Sequence, residues 1–292
     1  MSFASEEIAR QPQAWRKAAQ VAAASPDLPV PGERVAVIGC GTSLYMATTY
    51  AALREARGLG ETDAFAASEF PDGRAYDRYI AISRSGTTTE VLDCLAGRRG
   101  KGGVVVALTT NASLPIADVA DSVIALDFAD ERSVVQTLFA TTGLAVLRAH
   151  LGDDLGPIAD QAEAALTEPL DEAWLAAEQI TFLGRGWAYG LAQEAALKMR
   201  EASLGWTEAY LAMEYRHGPI SIAEPGRVVW HFGPGGADLR DEVTATGARF
   251  VDHPDDPQAD LVRVQRLAVE RGRRAGLDPD RPRHLSRSVV LG

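Results

Sequence analysis

Hydroxyl side chains surround Gly86 in the segment AISRSGTTTE, which spans residues 81–90. An apolar run ends at Ser83, the glycine provides a turn, and three threonines then open a helical pattern. Hydroxyls beside the exposed N–H groups of a helix N-terminus can hold phosphate, because these groups and the helix dipole favour an anion. The segment therefore predicts a phosphate cradle, although plain N-capping of a helix explains the same residues.

A second turn of this kind lies in GCGTS, residues 39–43, where Thr42 and Ser43 follow another apolar run. The carboxyl ends of neighbouring parallel strands meet at one edge of a sheet, and ligands of open α/β sheets bind there. We therefore expect the two hydroxyl-bearing turns to lie side by side.

Lys198 and Glu201 are three residues apart in a helical pattern, so they share one face of that helix. A carboxylate can move a proton between adjacent carbons while a nearby cation stabilises the developing oxyanion. The same spacing also fits an ordinary surface ion pair. His217 lies in the turn YRHGP, where an imidazole suits either proton shuttling or a structural hydrogen bond.

Short apolar segments alternate with helical segments and must position these residues. RVAVIGCG, DAFAASEF, RYIAISRSG, GVVVALTT and DSVIALDF predict strands, and helical stretches such as TTTEVLDCLAG and LPIADVA lie between them. QITFLGRG, the helix WAYGLAQEAALKMREA and GRVVWHFG continue the pattern. The alternation predicts an α/β fold of two flavodoxin-like half-domains, each a mainly parallel sheet flanked by helices.

Two separated patterns recur at one offset of 145 residues. They are the G-x-G turns that begin at Gly39 and Gly184, and the Glu-aromatic pairs that begin at Glu69 and Glu214. This repeat predicts an N-terminal half-domain with a leading helix over 1–152, and a C-terminal half-domain with an extended tail over 153–292.

Net charge, apolar runs and cysteine content limit which partners the protein could bind and in which cellular compartment it could act. The net charge of −11 argues against a nucleic-acid-binding face, and no apolar run reaches the roughly 20 residues of a membrane helix. The N-terminus carries no signal-peptide core, and the two cysteines, Cys40 and Cys94, form no CxxC pair or zinc pattern. We therefore expect a cytoplasmic protein without a metal or a cofactor, acting on a small molecule.

The ordered motifs resemble those of the sugar isomerase (SIS) family. The matching segments are GCGTS, ASEF, SRSGTT, ALTTN and the later series FLGRG, EAALKMRE, TEAY and EYRHGP, with LDPDRPRHLSRSVV matching the closing tail. The resemblance extends from about residue 20 to the terminus. It implies a phosphosugar-binding protein of the isomerase or deaminase type.

Within the first half, the resemblance assigns the sugar phosphate to Ser43, Ser83, Ser85 and Thr88, with Thr42 nearby. Arg84 stands where the family has Gln, so its guanidinium either contacts phosphate or points into solvent. Val134 and Gln136 match positions that line the sugar, and Gln136 replaces a small hydroxyl residue.

Within the second half, the resemblance makes Glu201 the carboxylate that transfers the proton and Lys198 the cation beside it. His217 matches a residue that reaches the site of the partner subunit, which implies a homodimer with composite active sites. Glu214 and its repeat mate Glu69 are interpreted as structural acids.

Two departures limit the chemistry. Members that use glutamine carry a glutamine-hydrolysing domain that begins with Cys, whereas this chain begins Met-Ser-Phe-Ala, so we do not expect glutamine-dependent activity. Arg287 stands where the family's tail has Lys, and Arg forms no imine because it stays protonated. The expected activity is therefore isomerisation or deamination by proton transfer between C1 and C2. The alternative is that the chain is a non-catalytic phosphosugar sensor.

Overall fold

The computed structural model describes residues 2–98 and 100–292. It divides into two compact units, here called the N-terminal and C-terminal units. The N-terminal unit comprises Gln13–Glu131, Gln136–Leu155 and Ser286–Gly292, and the C-terminal unit comprises Met1–Pro12, Arg132–Val135 and Gly156–Leu285. The chain opens with helix α1, Phe3–Ala23.

The N-terminal unit contains a five-stranded parallel sheet with the strand order β2-β1-β3-β4-β5. Its strands are β1 (Val35–Gly39), β2 (Thr62–Ala66), β3 (Arg78–Ile82), β4 (Val104–Thr109) and β5 (Ser122–Ala125). Its helices are α2 (Thr42–Ala56), α3 (Thr89–Ala96) and α4 (Leu138–His150). Strands β1, β3 and β4 are buried almost throughout, which explains their near-continuous apolar sequences.

The C-terminal unit contains a four-stranded parallel sheet with the order β7-β6-β8-β9. Its strands are β6 (Gln179–Gly184), β7 (Trp206–Leu211), β8 (Arg227–Phe232) and β9 (Arg249–Asp252). Its helices are α5 (Leu155–Thr167), α6 (Glu172–Leu175), α7 (Ala188–Ser203), α8 (Ala237–Ala245) and α9 (Pro257–Arg274). The expected α/β fold with parallel sheets flanked by helices is confirmed.

The two G-x-G turns have the same local geometry. Gly41 and Gly186 adopt positive φ angles of 55° and 56°, each between a central strand and the helix that follows it. A Cβ atom on Gly39 would lie 2.6 Å from the Ser43 carbonyl carbon, and one on Gly184 would lie 2.3 Å from the Ala188 carbonyl oxygen. Only glycine fits these first positions, because the backbone of the following helix passes so close.

The helical interpretation of LPIADVA needs correction, because Pro115–Asp118 forms a single 3-10 turn. No helix in the described ranges 2–98 and 100–292 has the length and apolar character required to cross a bilayer.

Candidate active site

The two hydroxyl-bearing turns of the N-terminal unit follow adjacent strands. β1 and β3 pair directly, with Ile38 opposite Ala81, so the loops after Gly39 and Ile82 leave the sheet side by side at its carboxyl edge. From β1 the chain crosses to β2 on one side of this pair, and from β3 it crosses to β4 on the other side. This is the switch point of a 2-1-3-4-5 sheet, where such folds bind ligands.

The loop after β3 is held in shape by its own hydroxyls. Ser83 Oγ accepts a hydrogen bond from the Gly86 N–H at 3.2 Å, and Ser85 Oγ accepts one from the Thr87 N–H at 3.3 Å. Gly86 has a φ angle of 59°, and a Cβ atom there would lie 2.7 Å from Leu114 Cβ. Thr88 precedes the first residue of α3, and its Oγ1 lies 3.5 Å from Ser85 Oγ. The loop therefore presents hydroxyls at the start of a helix, as the phosphate cradle requires.

The C-terminal tail of the N-terminal unit occupies the mouth of this cradle. Ser288 Oγ lies 3.1 Å from Ser85 Oγ and 2.9 Å from Thr87 Oγ1. The Thr89 N–H, at the first residue of α3, donates to the Val289 carbonyl at 3.2 Å. The tail thus makes the contacts that an anion would make with these groups. Sequence reasoning missed Ser288 and its contact with Thr87, because a contact between residues about two hundred positions apart leaves no local pattern.

Arg84 is buried, which rules out the alternative that its guanidinium points into solvent. Its side chain is 5% exposed and lies 3.4 Å from the fully buried carboxylate of Glu131. The other carboxylate oxygen of Glu131 accepts hydrogen bonds from the N–H groups of Thr137 and Leu138, where α4 begins. Arg84 also donates to the Arg287 carbonyl at 3.3 Å. It therefore links the cradle to α4 and to the tail, while its contact with phosphate stays a prediction.

Arg287 anchors the tail through its guanidinium, which donates to the Asp130 carboxylate and to the Glu131 carbonyl.

On the loop that follows β1, Thr42 and Ser43 form the buried first turn of α2. Their hydroxyls have no hydrogen-bond partner within the described residues.

The two expected sugar-lining residues lie in different units. Gln136 belongs to the N-terminal unit and is half-buried just before α4. Val134 belongs to the C-terminal unit, where its N–H donates to the Asp280 carbonyl at 3.2 Å.

Cys40 lies in the loop after β1. Burial raises the pKa of its thiol. A backbone hydrogen bond from Ala67 offsets part of this rise, and the charge of the nearby Glu90 carboxylate adds to it. The thiol therefore stays protonated at neutral pH and is a poor nucleophile.

Lys198 and Glu201 form an ion pair inside the C-terminal unit, on the last turns of α7. The Lys198 side chain is 1% exposed, so the surface-pair interpretation is wrong. The buried carboxylate of Glu194 lies 3.5 Å from the same ammonium, one turn earlier on the helix. Two carboxylates offset the large cost of burying one ammonium, so the cation is held in one place.

Glu201 is the more accessible carboxylate of this group, with its side chain 16% exposed. It lines a cavity of 210 Å³ together with Leu204 and the segment 276–283. Leu204 ends α7 with a φ angle of 55°, a left-handed conformation that glycine normally provides. Strained backbone of this kind recurs beside functional sites. The pair thus offers an open carboxylate next to a fixed cation.

His217 does not meet this pair within one chain. It is exposed, ends a 3-10 turn after β7, and its ring has no partner within the part of the chain that the structure describes. It follows the carboxyl end of β7, whereas Glu201 lies at the far end of the 16-residue α7, which starts at that carboxyl edge. A helix of that length spans about 24 Å. His217 and Glu201 therefore lie at opposite edges of the second sheet.

No family model matches the chain, but known proteins that are similar to it in sequence and in fold agree with the motif resemblance. A glutamine–fructose-6-phosphate aminotransferase (isomerizing) of Sulfurisphaera tokodaii is 30% identical over 299 residues, covering 89% of this chain and 50% of the relative. The chain thus spans about half the length of the curated relatives that it matches. The homologous region is the isomerase portion of these enzymes.

Solved structures show the same fold. Glucosamine-6-phosphate deaminase of Thermotoga maritima superposes with a TM-score of 0.84 at 25% identity, covering 99% of this chain and all of that one. The C-terminal domain of the Francisella tularensis glucosamine–fructose-6-phosphate aminotransferase superposes with a TM-score of 0.82 at 21% identity, covering 97% and 98% of the two chains. The resemblance to SIS-type phosphosugar isomerases that the motifs predict is confirmed.

Proposed function

We propose that this chain, a homologue of the isomerase portion of glutamine–fructose-6-phosphate aminotransferase, is a phosphosugar isomerase or amino-sugar-phosphate deaminase. Its substrate is a ketose 6-phosphate or an amino-sugar phosphate, and it needs no cofactor. The observation that carries the proposal is the buried Lys198, fixed between two carboxylates, of which Glu201 lines a cavity. A purely structural ion pair has no need of one open carboxylate beside a desolvated cation.

The proposal assigns the phosphate to the cradle of the N-terminal unit. The ligands are the hydroxyls of Ser43, Ser83, Ser85 and Thr88 and the N–H groups at the start of α3, with Thr42 nearby and Arg84 adding charge. Two features support this assignment, namely the pairing of β1 with β3 at the switch point and the free hydroxyls of Thr42 and Ser43. In this structure the tail contacts two of these groups, the Ser85 hydroxyl through Ser288 and the Thr89 N–H through the Val289 carbonyl, so phosphate binding requires the tail to move. Val134, Gln136 and Arg287 are assigned to the sugar.

The proposed chemistry is proton transfer between C1 and C2. The Glu201 carboxylate takes the proton from the carbon beside the carbonyl, and the electrons of that C–H bond form the enediol double bond. The Lys198 ammonium stabilises the oxygen that gains negative charge. Glu201 then returns the proton to the other carbon, while a hydroxyl proton moves between the two oxygens. No imine forms on the tail, because Arg287 replaces the family's Lys.

The proposal includes two half-domains that arose by internal repetition, because the two G-x-G turns share one geometry. It also includes a cytoplasmic location, supported by the two free cysteines, Cys40 and Cys94.

The proposal further includes a homodimer with composite sites. His217 and Glu201 lie at opposite edges of one sheet, so His217 serves a site only in a second copy of the chain. The edge strand β7 and its flanks also expose large apolar side chains, at Leu204, Trp206, Leu211 and Met213. Exposed apolar groups concentrated at a sheet edge are typical of an interface.

Mixed dimers test this arrangement. A Glu201→Gln chain and a His217→Ala chain are each expected to be nearly inactive, and heterodimers of the two should recover activity because one of their two sites is intact. Tandem affinity tags isolate the heterodimers, and their turnover is compared with that of each variant homodimer. Verified heterodimers without any recovery would place both residues in the site of one subunit.

Turnover of a phosphosugar panel tests the function itself. The panel contains fructose 6-phosphate, glucose 6-phosphate and glucosamine 6-phosphate, and ammonia release and ketose–aldose interconversion are both measured. We expect at least one reaction, with the unphosphorylated sugars inert.

The second candidate function is that of a non-catalytic phosphosugar sensor, which Arg287 in place of Lys favours. Saturable binding of a panel member without any turnover would support the sensor.

A further inference from the structure

The second sheet has a switch point of its own, which the proposed function does not use. β6 and β8 are adjacent, and the chain leaves β6 towards β7 on one side and β8 towards β9 on the other. A cavity of 470 Å³ opens at the carboxyl edge there, between the loops that follow β6 and β8. This volume suits a small organic ligand, and ligands of open α/β sheets bind at this position.

Two helices begin at this cavity without a side-chain cap. α7 starts at Ala188 after the Gly184-Arg185-Gly186 turn, and α8 starts at Ala237 after a glycine-rich loop. Neither Trp187 nor Gly236, the residues at the two N-cap positions, provides a capping side chain. The first N–H groups of both helices therefore favour an anion in the space between them.

Basic side chains line the same cavity. The Arg185 guanidinium is exposed and has no hydrogen-bond or ion-pair partner among residues 2–98 and 100–292. Arg216 also lines the cavity but pairs with Glu242 at 2.5 Å. Among the described residues of the lining, Asp238 in the first turn of α8 provides the carboxylate. Arg185 thus remains available to bind an anion from outside the chain.

His231 provides independent support, because it is a buried polar group whose ring faces this cavity. Its side chain is 94% buried, at the end of β8, and its ring stacks on Phe250. Nδ1 lies 2.9 Å from the Gly233 carbonyl and so carries the proton that this contact requires. Nε2 has no partner among the described residues. Because the ring lines the cavity and Nδ1 carries the proton, Nε2 can accept a hydrogen bond from a ligand there.

The remaining lining is apolar and includes the rings of Trp187 and Phe232 and the side chains of Met213 and Leu239. We infer that this cavity is a second ligand site, which binds a small organic phosphate with its anion between the starts of α7 and α8 and its apolar, planar part against Trp187. Arg185 binds the phosphate, and His231 Nε2 accepts a hydrogen bond from the ligand. This site is separate from the cradle of the N-terminal unit and does not depend on the proposed reaction.

Adenosine 5′-monophosphate is a suitable probe, because it joins one phosphate to a planar ring. Calorimetric titration of the full chain should show it binding more tightly than adenosine or inorganic phosphate. Arg185→Ala should weaken its binding roughly tenfold, the usual effect of losing one charged hydrogen bond, and Arg185→Lys should weaken it less. Arg185 is exposed, so neither variant is expected to disturb folding.

Two controls locate the binding. Arg249→Ala removes an exposed arginine from the start of β9, at the opposite edge of the same sheet, and should leave the affinity unchanged. Ser85→Ala/Thr88→Ala removes two hydroxyls of the phosphate cradle and should also leave the affinity for the probe unchanged, while strongly weakening fructose 6-phosphate binding if the proposed function holds. The inference is overturned if the wild-type chain does not bind the probe. It is equally overturned if Arg185→Ala binds as the wild type does, or if the cradle variant loses the binding.

Discussion

Glu201→Gln is expected to reduce kcat by about 10²–10⁴-fold while leaving substrate affinity nearly unchanged. Positioned proton transfer contributes about this factor, and an amide cannot accept the proton. Gln has the shape of Glu, so the contacts of the side chain with Lys198 and with the cavity are largely kept. Steady-state kinetics on the active panel sugar, together with calorimetric binding of the same sugar, separate the two quantities.

Glu224→Gln is the matched control for this variant, because it removes an equally charged but exposed carboxylate from the same unit. Its kcat should equal that of the wild type. A Glu201→Gln enzyme that keeps wild-type kcat would show that another group is the base. A variant that loses affinity and kcat to the same extent would instead make Glu201 a binding residue.

Ser85→Ala/Thr88→Ala is expected to weaken the binding of a sugar phosphate by on the order of 10²-fold or more. A hydrogen bond to a charged group contributes about 1.5–3 kcal/mol, and this variant removes two. Binding of the unphosphorylated sugar should change little, because it has no phosphate to lose. Calorimetry with fructose 6-phosphate and with fructose, under the same conditions, measures the difference.

Thr87→Ala distinguishes phosphate binding from an effect on the tail. The Thr87 hydroxyl contacts Ser288 but is not assigned to phosphate, so its loss should remove one contact of the tail without weakening the binding of the sugar phosphate. An equal loss for phosphorylated and unphosphorylated sugars in the double variant would place the phosphate elsewhere.

The sequence predicted the parts of the fold whose apolar pattern is strong. β1, β3 and β4 are buried on both faces, so their apolar runs are nearly continuous. β7, β9 and α8 escaped detection for physical reasons. β7 and β9 are the edge strands of the second sheet. Most of their residues are exposed or half-buried, so neither strand has a continuous apolar run. α8 is short and polar, with only Leu239 and Val243 buried.

The candidate site was predictable only where neighbours in sequence form it. The hydroxyls of 83–88 lie within one loop, so their spacing predicted a cradle. Lys198 and Glu201 share one helix, and their spacing predicted a pair, but its catalytic role came from the family resemblance. The contacts of Ser288 with the cradle and of Glu131 with Arg84 depend on tertiary packing, which local sequence does not encode. Burial of Lys198 is likewise a property of packing, and it changes the interpretation of the pair from an exposed ion pair to a fixed cation.

Hydrogen exchange at the substrate carbon tests the central claim most directly. The wild-type chain and Glu201→Gln are incubated in deuterated water with each phosphosugar that binds, and proton NMR follows the C1 and C2 signals. The wild type is predicted to incorporate deuterium at C1 or C2 of at least one sugar, and Glu201→Gln to incorporate none. Absence of incorporation by the wild type into every bound phosphosugar, or incorporation at the wild-type rate by Glu201→Gln, would contradict proton transfer through this carboxylate.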